Sequence, residues 1–118
     1  KQYWPASTVA SDARAFVVDA RDVLFKVAVI SSAAATTPIV MADLAITDIG
    51  ANVQMVDNAG STVTGNSKIA IDDTSATTAT FPLRVVDVVT DTQTSTTAFP
   101  EVLVKWNAGH MFDNTTGV

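Results

Sequence analysis

The chain has 118 residues, 47% of them apolar, and seven basic against twelve acidic residues give a formal net charge of −5. One domain accommodates that length, since a chain of this size buries roughly 65% of its unfolded surface around a single core. Scattered basic residues exclude a nucleic-acid partner, the absence of cysteine excludes disulfides and thiolate metal sites, and no apolar run reaches the about 20 residues of a membrane span.

The first residues, "KQYWPASTVASDARAF", lack the long apolar stretch of a secretory signal. Residues 1–13 are expected as an extended N-terminal arm carrying an exposed cluster of Tyr3, Trp4 and Pro5, followed by a single β-domain over 14–118. Valine, threonine, alanine and isoleucine are abundant, and the β-branched members of that set pack well on a pleated surface. Period-two alternation places Phe16 and Val18 on one face of "RAFVVD". It also places Val23, Phe25, Val27 and Val29 on one face of "VLFKVAVI", with Lys26 opposite. With "DARD" (Asp19–Asp22) as a turn, these two runs are expected to form a hairpin.

"SSAAATTP", Ser31–Pro38, reads as a loop or irregular crossover. Asp43 is placed to cap one helical turn through Leu44–Thr47, and that segment stays unassigned. "VQMVDNAGSTVTG" predicts a hairpin, because Asp57, Asn58, Ala59 and Gly60 tolerate the positive φ of a short loop between two extended runs. "SKIAID" follows, with Ile69 and Ile71 on one face. Then "DTSATTATFPLRVVDV" from Asp73 repeats as "DTQTSTTAFPEVLVKW" from Asp91, a spacing of 18. Threonine abundance offers a chance explanation for part of the match. Either way, Pro82 and Pro100 mark strand starts, where a missing N–H costs little.

The last strand carries the only histidine, His110. An unbroken run puts Val102, Val104, Trp106, Ala108, His110 and Phe112 on one face; a bulge at Gly109 instead turns Met111 inward and leaves His110 outside. Neither arrangement gathers a catalytic partner, and a lone histidine cannot make a zinc site. "GNSKI" lacks the closing glycine and the strand-to-helix context of a nucleophile elbow. Asp72 with Asp73, and Asp19 with Asp22, match no calcium loop and read as solvated turn residues. "NTT" at Asn114 fits the glycosylation acceptor pattern, which has no weight without a secretory signal. No catalytic, cofactor-binding or metal residue is therefore assigned, and an enzyme is not expected.

About seven to eight short antiparallel strands describe an all-β small barrel or sandwich. Within that frame, "DARDVLF", "DIGAN", the longer run "DIGANVQMVDNAGSTVTGNSKIAID" and the closing "VLVKWNAGHMFDNTTGV" resemble a family of small virion structural proteins of tailed bacteriophages. In that family these patterns recur beside a final strand ending in an Asn, a His and "TGV". The likeness runs from about Val17 to Val118. It implies a head decoration, or cement, protein: a β-rich homotrimer on the outer surface of the virion capsid, with the major capsid protein as partner and no cofactor.

Physical features agree with that role. A cyclic trimer closes its heterologous contacts into a ring. Thr92, Thr94 and Thr96, on the Thr-rich stretch from Thr90 to Ala98, and the Tyr3–Trp4–Pro5 arm are the candidate interface residues, since Tyr and Trp anchor interfaces when buried. Trp4 packing back on its own barrel is the alternative for the arm. The alternative function is a receptor- or carbohydrate-binding β-domain of a phage fibre or other surface structure, for which two tryptophans and one tyrosine are available to stack on sugars.

Overall fold

The computed structural model describes residues 9–16, 18, 20, 22–31, 39, 49–74, 77–91 and 93–107. A 3₁₀ turn at Ala10–Asp12 precedes strands β1 (Phe25–Ile30), β2 (Asn52–Val53), β3 (Met55–Val56), β4 (Ala70–Asp72), β5 (Leu83–Val88) and β6 (Glu101–Trp106). They form one six-stranded sheet in the order β2-β5-β6-β1-β4-β3, and no α-helix occurs among the described residues.

The two ends of this sheet belong to one piece of chain. Gln54 alone separates β2, which pairs antiparallel with β5, from β3, which pairs antiparallel with β4. Between them the Asp72 N–H donates to the Gln54 carbonyl at 3.1 Å. A sheet whose outermost strands are successive parts of one extended segment is nearly closed and barrel-like, with little unpaired edge. The expected all-antiparallel pairing is corrected at one place: β1 and β4 run parallel, with Val29 opposite Ile71 and Ile30 opposite Asp72. Parallel neighbours need a long crossover, which residues 31–69 supply with β2 and β3 inside it.

The core is the inward set of these strands. Val29, Ile39, Val53, Ile71, Leu83, Val85, Val102 and Val104 pack together, and Phe25, Val27, Val88 and Trp106 close around them. Small β-branched side chains suit so narrow an interior, where each buried valine contributes on the order of 1.5 kcal/mol or more. β5 would put Asp87 into this core if it alternated strictly from Leu83 and Val85. Instead the register against β6 shifts between Val85 and Asp87. The extra residue, Val86, sends Asp87 to solvent and brings Val88 back to the core.

Strands β5 and β6 begin one residue after Pro82 and Pro100. Both prolines lack the N–H but use the carbonyl: Asn107 N–H donates to Pro82 and Val29 N–H to Pro100, each at 2.8 Å. Three other sequence expectations need correction. Phe16 and Val18 are 106% and 53% exposed and belong to no strand, so no hairpin precedes β1 among the described residues. Ser61–Gly65 is a turn rather than a strand, closed by the Gly65 N–H to the Ser61 carbonyl at 2.8 Å, with Gly65 at φ 73°. β3 and β4 are therefore joined by the long excursion 57–69 rather than by a four-residue loop. Ile69 and Ile71 also part company: Ile71 is 1% exposed and Ile69 46%, because the Ser67 hydroxyl accepts the Ile69 N–H at 3.1 Å and bends the chain before β4.

Candidate functional site

Of the candidate interface residues, Tyr3, Trp4, Pro5 and Thr92 lie outside the described residues, as do Gly109 and His110 with the bulge question. Thr94 and Thr96 are exposed in the connection from β5 to β6. Their loop is shaped from within: the Thr94 N–H donates to the Thr97 hydroxyl at 2.8 Å, and the Thr94 hydroxyl lies 3.3 Å from that of Thr96. Gln93 holds the base of the loop. Its side-chain amide donates to the Val89 carbonyl and, at 3.3 Å, to that of Glu101, while its Oε1 accepts the Glu101 N–H at 2.9 Å.

Val102 and Val104 point inward as the alternation requires, and Trp106 continues that face. The Trp106 ring meets Phe25 edge-on, with centroids 5.8 Å apart at 70°. Its indole N–H is buried without an acceptor among the described residues. The neighbouring Asn107 amide donates to the carbonyls of Ala79 at 3.2 Å and Phe81 at 3.0 Å, which ties the end of β6 to the turn before β5.

A concavity lies on the opposite, outer face of β1. Lys26 at the start of that face is solvated and paired with Glu101 at 2.9 Å, as an outward position should be. Ala28 and Ile30 are the next two positions on that face; both are apolar, and Ile30 is already buried at 3% exposure. With Ala70 they floor a cleft of ≈ 400 Å³ whose walls are Ile69 and Phe99. Asn58, Ser67 and Lys68 complete its rim. The Asn58 amide donates to the Lys68 carbonyl at 3.1 Å, which pins the neck of the 57–69 excursion beside the cleft.

Phe99 stands in an unusual conformation. Its φ is 55°, in the left-handed region that a bulky side chain avoids, and the following proline disfavours that region further. A single long-range bond accompanies it, from the Phe99 N–H to the Ile39 carbonyl at 3.1 Å. The ring remains 44% exposed.

Among the described residues that line this cleft Lys68 is the one ionisable side chain, with no second such group beside it to form an acid–base pair. Nor do three His, Asp or Glu side chains gather anywhere among the described residues as metal ligands would. Sequence reasoning missed the cleft, although a signal was present. "KVAVI" is apolar at consecutive positions, and a strand apolar on both faces is covered, or meant to be covered, on both. The chain matches no protein-family model, no curated protein and no solved structure.

Proposed function

We propose that this protein is a non-enzymatic head decoration protein of a tailed bacteriophage, binding the outer capsid surface as a trimer and clamping neighbouring capsomers. The observation that carries the reading is the display of large apolar side chains outside a nearly closed barrel. Phe16, Val63, Ile69 and Phe99 are 106%, 94%, 46% and 44% exposed, while the barrel's own core is complete without them. Apolar surface left outside a finished core favours protein–protein contact. The resemblance carried by "DARDVLF", "DIGAN" and "DNAGSTVTG" names the kind of partner, the major capsid protein. Gly50 at φ 88° gives one of these motifs a structural reason, because it turns the chain into β2.

A clamp of this kind works by buried area. Each copy contributes only the surplus left after association costs, on the order of a few kcal/mol, and many copies together oppose the pressure of packaged DNA. The net charge of −5 is compatible with an outer surface that never meets the nucleic acid. The carbohydrate-binding alternative has weaker support, because Trp106 is engaged with Phe25 and the core and is not free to stack on sugars.

Two measurements test the proposal together. Light scattering is expected to give a trimer mass, and sedimentation with expanded capsid shells saturable binding. A monomer with no affinity for shells overturns it. A glycan array with clear hits, and sugar protection of Trp4, would replace it by the carbohydrate-binding reading.

A further inference from the structure

We propose that Asn66 is a self-modifying site: the backbone nitrogen of Ser67 attacks the Asn66 side-chain amide, and the ring that forms opens to isoaspartate. This property belongs to the chain itself and holds whatever the protein binds.

Four asparagines lie among the described residues, and three of them have their side-chain amides engaged. Asn52 donates to the Thr78 carbonyl at 3.0 Å, Asn58 to the Lys68 carbonyl at 3.1 Å, and Asn107 to the carbonyls of Ala79 and Phe81 at 3.2 and 3.0 Å. Those bonds hold the amide against the rotation that cyclisation needs. At Asn66 only the main chain is bonded among the described residues: its N–H donates to the Thr64 hydroxyl at 3.4 Å, and its carbonyl accepts the Ser61 N–H at 3.1 Å. Asn66 is also exposed, whereas the other three are half-buried.

The following residue acts in the same direction. Asn52 precedes Val53, a buried β-branched residue of β2 that crowds the approach to its own peptide nitrogen. Asn66 precedes Ser67, which is small and exposed. The Ser67 hydroxyl accepts the Ile69 N–H at 3.1 Å, but no bond among the described residues takes the Ser67 N–H. Rotation of the peptide that joins Asn66 to Ser67 therefore requires release of one exposed bond, the one from Ser61.

The chemistry needs only water. The Ser67 nitrogen gives up its proton, bonds to Cγ of Asn66 and expels the amide nitrogen as ammonia, which leaves a cyclic succinimide. Water then breaks one of the two carbonyl bonds to that nitrogen. Breaking the new bond at Cγ gives aspartate; breaking the original peptide bond gives isoaspartate, whose backbone runs through Cβ and Cγ and is longer by a methylene. The insertion falls where the turn is tight. The Asn66 carbonyl closes the 57–69 excursion onto Ser61 and lies 3.1 Å from where a Cβ on Gly60 would stand. In isoaspartate that carbonyl becomes a free carboxylate off the main chain, so the closure loosens and the turn that presents Val63, 94% exposed, is released.

The test incubates the full chain in warm, mildly alkaline buffer, then locates the converted residues by tandem mass spectrometry and counts isoaspartate with an isoaspartate methyltransferase. Asn66 is expected to convert about tenfold faster than Asn52, Asn58 or Asn107, mainly to isoaspartate. Mildly acidic buffer should slow it, because the attacking nitrogen then keeps its proton. Ser67→Val should slow it several-fold, and Asn66→Gln should remove the labelling at this position. Amide hydrogen exchange at Ser61 and Gly65 should speed up in the aged wild-type chain but not in Asn66→Asp, which gains the charge without the methylene. An unchanged Asn66, or equal conversion at the three bonded asparagines, overturns the proposal. So does aspartate as the only product, which would mean direct hydrolysis of an exposed amide with no part for Ser67. Unchanged exchange in a chain that has formed isoaspartate overturns the release of the turn.

Discussion

The two Phe-Pro segments of the chain share a motif and differ in what they bury. In the first, Phe81-Pro82 leads into β5, whose Leu83 and Val85 point into the core. In the second, Phe99-Pro100 leads into β6, whose Val102 and Val104 do so, one position later in the repeat. Pro100 is itself fully buried, whereas Pro82 is half-buried. The local chemistry of the two stretches is the same: a threonine-rich turn, a phenylalanine, a proline that opens a strand. The phase is not.

Its origin lies in what each phenylalanine N–H finds. Phe81 donates to Thr78 at 3.2 Å, a turn closed within its own segment, while Phe99 donates to Ile39 at 3.1 Å, far away in sequence. The left-handed φ of Phe99 accompanies the second arrangement and shifts the inward face of the strand by one residue. A period-two pattern changes faces with a single-residue slip, so equivalent positions of a repeat need not be equivalent in the fold. That contrast can be broken or sharpened by substituting the same place in both copies.

The largest effect is expected at the last strand position. Trp106→Ala should cost about 3 to 5 kcal/mol, since it removes the edge contact with Phe25 and opens a cavity at the barrel wall, whereas Val88→Ala should cost about 1 kcal/mol. Urea unfolding followed by far-UV circular dichroism separates the two. At the first strand position the order of the copies reverses. Leu83→Ala should cost about 3 kcal/mol, and Glu101→Ala less than about 1 kcal/mol, because it removes only an exposed ion pair with Lys26.

Val104 and Val86 allow an identical substitution at equivalent positions. Val104 is 0% exposed and Val86 is the bulged residue, so thermal denaturation should show a loss of about 2 kcal/mol for Val104→Ala and under about 1 kcal/mol for Val86→Ala. Equal losses would mean that the copies bury the same face after all. The smallest effect concerns the strained residue: Phe99→Gly should raise stability by up to about 1 kcal/mol, the opposite sign from Phe81→Gly, as glycine accepts the left-handed conformation freely.

The cleft was not legible in the sequence. Thr94 and Thr96 are exposed, and the residues that build the cleft come from elsewhere: β1, the 57–69 excursion and the approach to β6. Nothing in a linear pattern brings Ala28, Lys68 and Phe99 together. The apolar doublets of "KVAVI" were the one local hint, and alternation alone reads them as an inward face plus noise.

The sequence by itself determined the all-β character, the starts of β5 and β6 behind their prolines, and the inward set Val27, Val29, Val102, Val104 and Trp106. These follow from forces acting within a few residues: β-branched sterics, the missing proline N–H and strict alternation along a strand. Only the tertiary structure decided the parallel pairing of β1 with β4, the bulge at Val86, the closure of the sheet through Gln54 and the phase of β6. Each of those depends on hydrogen bonds between residues far apart in the chain, and keeping Asp87 out of a core formed by six different stretches is a condition that no single stretch can impose.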